Sequence, residues 1–512
     1  MKRNILFGLM LAALISCKKD NVQIPVETPE IIVNEDPKTF AEIGSIDIGD
    51  EGAAEITAFD PITNRLFVVN NTTGNNRIDV IDFKDPTKMT KLSSISITPY
   101  GGLVNSLSVH DGKLAAAIES VNKTDNGKVV VFKTSDYSEI KVITVGALPD
   151  MITFSPDGKY LLTANEGEPS QDYTTDPVGT ISIISVTENY AVNTIDFGAF
   201  AGKKDELAKK GFRIFGPGKD FLKDIEPEYI TISEDSKTAW VTLQENNAIA
   251  KINIAAKTIT DIFPLGFKDY NVAGNEIDPS DKDNAKVLGK WPVKGMYQPD
   301  AIALLESGGT PYLFTANEGD AREYTGVGGY VEAKRIKDKD IKLDPTVFPT
   351  ASILQKDEQL GRLNITPTLG DTDGDGDYDE LYSFGARSFS VWNGNTGAQV
   401  YDSKNELELK AIAENLYDDL RSDDKGVEPE GIAIGTVGNK KLAFVGMERA
   451  TSLATYDVSN PAAPVFLQIL KTGVEPEGVL FISPKNSPTK KSLLIVSSEK
   501  DGVVKVYTPK TI

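Results

Sequence analysis

The sequence predicts an all-β fold, a β-propeller built of four-stranded antiparallel blades. Three observations predict it. From about Phe40 onward the chain is a run of short apolar strands broken by turn residues, with no long stretch of helical period. One motif recurs, in which an acidic residue, usually after proline, opens a first strand and a second strand follows that closes on another acid. The units recur at roughly 45 to 50 residues where no insertion intervenes, the length of a four-stranded blade. Two separate β-sandwiches would be the alternative, but the unit-by-unit similarity favours a ring.

The N-terminus precedes this pattern. Lys2 and Arg3 form a positive segment, and Ile5 to Ile15 is apolar but shorter than the roughly 20 residues that span a bilayer. Residues 1–16 are expected to be a lipoprotein signal peptide, because LISC resembles a bacterial lipobox and Cys17 is the sole cysteine of the chain. The resemblance implies cleavage before Cys17, lipidation there and attachment to a membrane through the lipid. An ordinary signal peptide with an incidental cysteine is the plainer alternative. Residues 17–39 are polar, acidic and proline-bearing, and read as a flexible tether. The Lys-Lys-Asp after Cys17 resembles the start of surface lipoproteins in the Bacteroidetes group. That implies an outer-membrane, cell-surface location, with the periplasmic face left open.

Residues 40–512 are expected to form one propeller domain with insertions at about 199–225, 266–296 and 319–380. The first strands read LPDMITF at Asp150, EPEYITI at Glu228, QPDAIAL at Asp300, EPEGIAI at Glu430 and EPEGVLF at Glu477. The second strands close on Glu166, Glu245, Glu318, Glu448 and Glu499. The paired acids are 16, 17, 18, 18 and 22 residues apart. Weaker copies precede them, AEITAFD with RLFVVNN and VNSLSVH with KLAAAIE. ELYSFGARSFSVWN (380–393) reads as the second and third strands of another copy. The count is eight units, starting near Ala54, Val104, Asp150, Glu228, Asp300, Leu363, Glu430 and Glu477. If the fifth and sixth are one blade with a long insertion, the ring has seven. The last unit has three clear strands, and FAEIGSIDIG (40–49) can supply its fourth.

Propeller geometry turns this repeat into a surface. First strands line the central channel and second strands run antiparallel to them, so the start of one and the end of the other share an edge. The ten acids named above therefore gather at one mouth of the channel. Carboxylates so close cannot all be ionised without compensation. Either cations sit among them, or backbone N–H groups at the turns satisfy them as simple turn caps, although such caps are more often Asp, Asn or Ser. Arg322, Arg387 and Arg449 follow second strands and are expected at the same face.

The long insertion carries the clearest metal motif. In GDTDGDGDYDEL (370–381), Asp371, Asp373, Asp375, Asp377 and Asp379 alternate, with Gly376 at the sixth place of the loop. This resembles the DxDxDGxxD calcium loop of integrin-type propellers, whose alternating oxygens converge on a hard cation. An EF-hand would carry Glu at place twelve, where Tyr382 stands. The resemblance implies Asp371, Asp373, Asp375 and Asp379 as calcium ligands, with the backbone of Asp377. A solvated acidic turn is the alternative. Asp278, Asp281 and Asp283 form a weaker candidate.

Composition closes off other chemistries. The 512 residues hold 54 basic and 75 acidic side chains, a net charge of -21, which argues against nucleic acid as a partner. One histidine, His110, and one cysteine leave a Ser-His-Asp triad or a Cys/His metal centre without their residues. His110 ends a first strand at the edge opposite the acids and is expected to be an exposed turn residue. GVGG (326–329) and GPG (216–218) read as turns, and no G-x-G-x-x-G follows a strand. KKDELAKKGFR (203–213) reads as a short exposed helix.

Several long motifs together resemble the choice-of-anchor I family. They are LPDMITFSPDGKYLLTANEGEPSQDYTTDPVGTISII, GMYQPDAIA with YLFTANEGDAREY, LGRLNITPTLGDTDGDGDYDELYSFGARSFSVW and RSDDKGVEPEGIAIGT. The resemblance covers about residues 40 to 510. It implies a secreted or surface-attached propeller whose shared domain is held by varied anchors. Some members carry an alkaline-phosphatase-like label, and the PEG motifs are similar to phytase-like propellers. One fold hosts many functions, so two readings follow. The first is a lipid-anchored, calcium-binding surface module that meets a small ligand or an outer-membrane protein at its acidic mouth. The second is a calcium-dependent phosphoesterase, with Glu166, Glu228, Glu318, Glu430 and Glu477 as metal ligands or bases and Arg322, Arg387 or Arg449 on phosphate oxygens.

Overall fold

The computed structural model describes residues 33–512; the expected signal peptide, Cys17 and most of the 17–39 tether lie outside them. Seven four-stranded antiparallel sheets and one five-stranded sheet make up the fold. The seven are the blades, and their innermost strands touch in order round a closed ring. Blade 1 begins at Ala53–Asp60, blade 2 at Val104–His110, blade 3 at Pro149–Phe154 and blade 4 at Ile230–Ile232. Blades 5, 6 and 7 begin at Ile302–Ser307, Pro429–Val437 and Pro476–Ile482.

Burial explains the pattern of each blade. Second strands such as Arg65–Asn70, Tyr160–Asn165 and Thr238–Leu243 are buried at every position but the first. They lie between two neighbouring blades, so both faces are covered and the sequence is continuously apolar rather than alternating. Outer strands such as Thr90–Ser96 face solvent and are largely polar. The core lies between the blades. Phe67, Val69, Val80 and Leu114 fill the space between blades 1 and 2, and Phe314, Phe389, Val445 and Tyr456 that between blades 5 and 6.

The count of eight units falls to seven. Blade 5 takes its first two strands from Ile302–Ser307 and Thr310–Asn317, and its last two from Ser388–Asn393 and Gln399–Asp402. The fifth and sixth units are thus one blade with an insertion between its second and third strands. Tyr382–Ser383, expected in a second strand of its own, belongs to the five-stranded sheet. That sheet joins Phe267–Asp269, Lys294–Met296, Tyr382–Ser383, Asn364–Ile365 and Lys334–Arg335, so two insertions far apart in sequence fold together.

Strand direction fixes where the insertions go. First strands run away from the acidic edge, second strands return to it, and the outer strands end there again. Every long insertion, including 403–428 with its helix Glu406–Ala413, leaves and rejoins the ring at the acidic edge. The far edge carries short turns, at Gly308–Gly309 among others. SPDGK at 155–159 is one of these turns: Ser155 Oγ donates to Asp157 Oδ1 at 2.8 Å and accepts from Tyr160 N at 3.0 Å.

The N-terminal strand closes the ring as expected. Ala41–Asp47 pairs antiparallel with Val503–Thr508 as the outer strand of blade 7, with Ala41 opposite Thr508. Gln468 of blade 6 secures it, its Nε2 donating to Phe40 O at 3.0 Å and its Oε1 accepting from Phe40 N at 3.1 Å. Before the strand, buried Glu35 accepts from Ser492 N at 3.0 Å and from Ser492 Oγ at 2.7 Å. Ser492 precedes the second strand of blade 7, so the chain enters at the far edge, away from the acids.

His110 ends its strand at the far edge but is not an exposed turn residue. It is half-buried, and its ring centre lies 5.6 Å from that of Phe154. The 203–213 segment contains the expected short helix, Lys204–Ala208. Its last residue, Arg213, is buried rather than solvated, ion-paired with Glu332 and stacked 3.9 Å from the Phe215 ring centre.

Candidate functional site

The acids reach the mouth because the innermost strands bulge where they begin. In blade 3 the register skips from Pro149 to Met151, leaving Asp150 outside the ladder. Blade 6 skips from Pro429 to Ile432 around Glu430, and blade 7 from Pro476 to Val479 around Glu477. A bulge turns its extra residue out of the ladder, here toward the mouth. Leu148, Gln298, Glu428 and Glu475, each just before the proline, have positive φ between 41° and 55°, which makes the sharp entry into these strands.

The structure extends the acidic ring beyond the ten residues legible in the strong motifs. Blade 1 bulges between Ala53 and Thr57 and presents Glu55, and the second strand of blade 2 is followed by Glu119. Six first-strand acids (Glu55, Asp150, Glu228, Asp300, Glu430, Glu477) and six second-strand acids (Glu119, Glu166, Glu245, Glu318, Glu448, Glu499) share the mouth. The two remaining places hold asparagine. Asn71 donates to Glu55 Oε2 at 2.8 Å and to Val104 O at 2.9 Å, and Asn105 donates to Pro149 O at 3.3 Å. The weaker copies AEITAFD and KLAAAIE already carried Glu55 and Glu119 at the matching places.

Burial and mutual repulsion push these carboxyls up. Burial, Glu499 and Asp150 hold Glu55 at about 8, and burial and Glu119 hold Asp150 at about 6. Burial and Glu318 hold Glu448 at about 8. Glu166, Glu228, Glu245, Asp300, Glu430 and Glu477 all stand well above the ordinary carboxylate range, first through burial and then through each other. Three sets bring carboxylate oxygens within 4.8 Å of one another: Glu166, Glu228 and Glu245; Asp300, Glu318 and Glu430; and Glu318, Glu428 and Glu448.

The three arginines divide. Arg449 is at the mouth, 3.0 Å from Glu448 and 2.8 Å from Glu475. Arg322 is beside it but buried, paired with Asp224 and, at 2.9 Å, Glu226, and stacked on Phe215. Arg387 is not part of the acidic face. Its backbone is left-handed at φ 53°, and its buried guanidinium pairs with Glu408 at 3.2 Å and donates to the carbonyls of Asp278, Ser422 and Asp424. It ties the insertions to the ring.

Those insertions wall the mouth. The segment 319–333 crosses to blade 3, where Gly326 N donates to Gln171 O at 2.9 Å and Tyr324 packs edge-on against Tyr173, ring centres 5.4 Å apart. The GVGG turn thus forms part of a strap. Beneath it lies a polar cavity of about 400 Å³ lined by Lys123, Glu245, Asp320, Arg322, Tyr324 and Lys425 among others.

The 370–381 loop folds as a cation-binding loop would. Carboxylate oxygens of Asp371, Asp373 and Asp379 lie within 4.8 Å of one another. Asp371 accepts from Gly374 N at 2.7 Å and Gly376 N at 3.2 Å, and both glycines have positive φ with no atom within 4 Å of the place a Cβ would take. Asp375 faces along the loop, accepting from Asp377 N at 3.1 Å. The side chain of Asp377 joins Asp379 and Asp344, a residue outside the motif, in a second set. The donor set, oxygens only, suits calcium. The weaker candidate does not assemble. Asp281 is held by Arg362 at 2.8 Å, Asp283 accepts from Ala285 N at 2.9 Å and buried Asp278 accepts from Ser280 N at 3.3 Å, so the three do not converge.

The model of the choice-of-anchor I domain matches residues 55–461. Gigasin-3a of Magallana gigas is 27% identical over 188 residues, 30% of this chain and 66% of that protein. A mesenchyme-specific cell surface glycoprotein of Strongylocentrotus purpuratus is 26% identical over 349 residues, 59% of this chain and 44% of that protein. The chain therefore spans less than two thirds of either relative. Among solved structures, hydrazine synthase of Kuenenia stuttgartiensis aligns with a TM-score of 0.48 at 13% identity, over 91% of this chain and 98% of the other. The WD40 repeats of RRP9 align with a TM-score of 0.47 at 8% identity, over 94% and 100%.

Proposed function

The chain belongs to the choice-of-anchor I family, and from that premise we propose that it is a surface binding module that works through its acidic mouth. One observation carries the reading: every long insertion rises from the edge where the twelve acids gather, and the segments 319–333 and 403–428 wall a polar cavity there. A propeller that builds its irregular structure on one face concentrates recognition on that face. The ligand for such a mouth carries positive charge or is bridged by metal. The 370–381 loop binds calcium through Asp371, Asp373 and Asp379, fixing the insertion that bears it, and extracellular calcium would keep a weak site filled.

Lipidation at Cys17 would attach the module to the outer membrane. The described chain begins at the far edge, which leaves the acidic mouth open to a ligand or an outer-membrane partner. The sea-urchin relative's name, a cell surface glycoprotein, is in keeping with such a location.

The phosphoesterase reading keeps the clustered carboxylates but loses much of its phosphate grip. Arg387 is committed to the insertions and Arg322 to Asp224 and Glu226, which leaves Arg449. One experiment separates the two. The full chain, stripped with chelator and refilled with calcium, is assayed on a generic phosphomonoester and on phytate. No release above the apo protein is expected. Calcium-dependent release that disappears in Glu430→Gln would make the protein an enzyme and overturn the binding reading.

A further inference from the structure

Two carboxylate sets at the mouth are alike in geometry and unlike in what neutralises them. In the set of Glu318, Glu428 and Glu448, the protein supplies its own cation. Lys425 places its ammonium 2.5 Å from Glu318 and 3.4 Å from Glu428, and Arg449 adds a contact of 3.0 Å to Glu448. In the set of Glu166, Glu228 and Glu245 no lysine or arginine among the described residues comes within ion-pairing distance of any of the three. The nearby basic residues are spoken for: Lys123 by Glu168, Arg213 by Glu332, and Arg322 by Asp224 and Glu226.

The second set also holds an unmet demand. Glu245 is only 4% exposed and its Oε2 has no hydrogen-bond partner, while Glu228 is 9% exposed. A buried carboxylate oxygen without a donor is costly, and three converging carboxylates without a cation more so. We propose that Glu166, Glu228 and Glu245 hold a hard divalent cation of the calcium class, which does for blades 3 and 4 what Lys425 does for blades 5 and 6. The spacing fits. Two oxygens that each lie about 2.4 Å from a calcium ion stand at most about 4.8 Å apart, and the three carboxylates meet that limit. An all-oxygen donor set selects hard cations over softer transition metals. The route in is the strapped cavity, since Glu245 forms part of its wall. This deepens the binding-module reading and rests on it for the mouth being the working face. A cation here would offer its free positions to an anionic or carbonyl oxygen of a ligand in that cavity.

The test uses the full chain and calcium alone. The 370–381 loop is first silenced by Asp371→Asn with Asp373→Asn, and calcium binding is followed by equilibrium dialysis. One calcium is expected to remain. Adding Glu228→Gln with Glu245→Gln is expected to weaken it by at least about 100-fold, more than loss of an outer-shell partner would. Unchanged affinity would overturn the proposal, as would the absence of any calcium on the loop-silenced chain. Neutralising two repelling carboxyls should leave the chelated protein at least as heat-stable as its parent. If that variant does not fold, terbium on the loop-silenced chain gives a second answer, because Tyr324 lines the same cavity. Its sensitised emission should fall in Tyr324→Phe, and emission that does not change would overturn the proposal. Calcium bound here with no macromolecular ligand would leave this inference standing while the binding reading fails. A ligand bound equally well by the Glu228→Gln, Glu245→Gln variant would do the reverse.

Discussion

Asp344 and Asp379 approach across the long insertion until their carboxylate oxygens lie within 4.8 Å, with Asp377 completing the set. The alternating acidic motif of the 370–381 loop ends at Asp379 and contains no hint of Asp344. The meeting depends on the pairing of Leu343 with Tyr378, which lays the 340s alongside the loop.

Asp344 should therefore strengthen the loop without being indispensable to it. Asp344→Asn is expected to weaken calcium binding at the loop about 10-fold, whereas Asp371→Asn with Asp373→Asn should remove the loop's calcium and leave only the one at the mouth. Isothermal titration with calcium checks both. Equal effects of the two variants would show that Asp344 is a ligand of full rank.

Lys425 should be essential where the mouth has no added ion. Lys425→Met leaves Glu318 without its cation, while Glu428 keeps Arg421, and should cost about 3 kcal/mol in chelator, since breaking a buried pair strands a charge. Calcium should restore a good part of that loss, because the emptied set has the spacing for a cation. Urea denaturation with and without calcium reads both effects. A variant as stable as its parent in chelator would contradict the role given to Lys425.

The raised carboxyls set the pH dependence of the chelated protein. An acid whose folded pKa stands above its unfolded value holds its proton more tightly when folded. Its contribution is present in full below the unfolded value near 4.5 and is lost as pH rises through the folded one. Glu55 and Glu448 are held at about 8 and Asp150 at about 6. Stability in chelator should therefore fall between about pH 5 and pH 9. Glu55→Gln should flatten part of that slope. Urea midpoints that rise across this range would refute the assignment.

Ring closure should depend on Gln468. Its side chain satisfies both the N–H and the C=O of Phe40, and Gln468→Ala should cost about 1–2 kcal/mol. Hydrogen exchange should show the loss first in Ala41–Asp47. A uniform loss over all blades would mean that the closing strand does not open separately.

The blades were legible in the sequence because their buried middle strands are continuous apolar runs of fixed length. RLFVVN, YLLTAN and YLFTAN each declare a strand without reference to the rest of the chain. The acidic mouth was legible for the same reason, since alternation and strand direction place Asp150 and Glu166 on one edge. The false eighth unit came from the same local logic. YSF and SFSVWN look like consecutive strands, but the first pairs with the insertion and the second returns to a partner, Thr310–Asn317, that lies before it. Arg387 was misplaced for a related reason. Its position after a strand suggests the mouth, while its left-handed backbone and its partner Glu408, on a helix the sequence reading did not identify, send it elsewhere. Lys425 was missed because nothing in RSDDKGVEPE marks which basic residue will turn inward.

The strand that closes the ring is also the first strand of the described chain, and this gives the molecule a load path. Tension applied through the N-terminus arrives at Glu35 before it reaches any blade. There it meets two hydrogen bonds to Ser492 and the pairing of Glu35 with Thr511, which act as a mechanical fuse ahead of Ala41–Asp47. Should that fuse give way, the strand would peel from Val503–Thr508 one pair at a time beginning at Ala41, the least force-resistant geometry a β-ladder has. A pull on the N-terminal side would thus be felt first at the seam, on the side remote from the mouth, and the acidic face would keep its shape until the seam had opened.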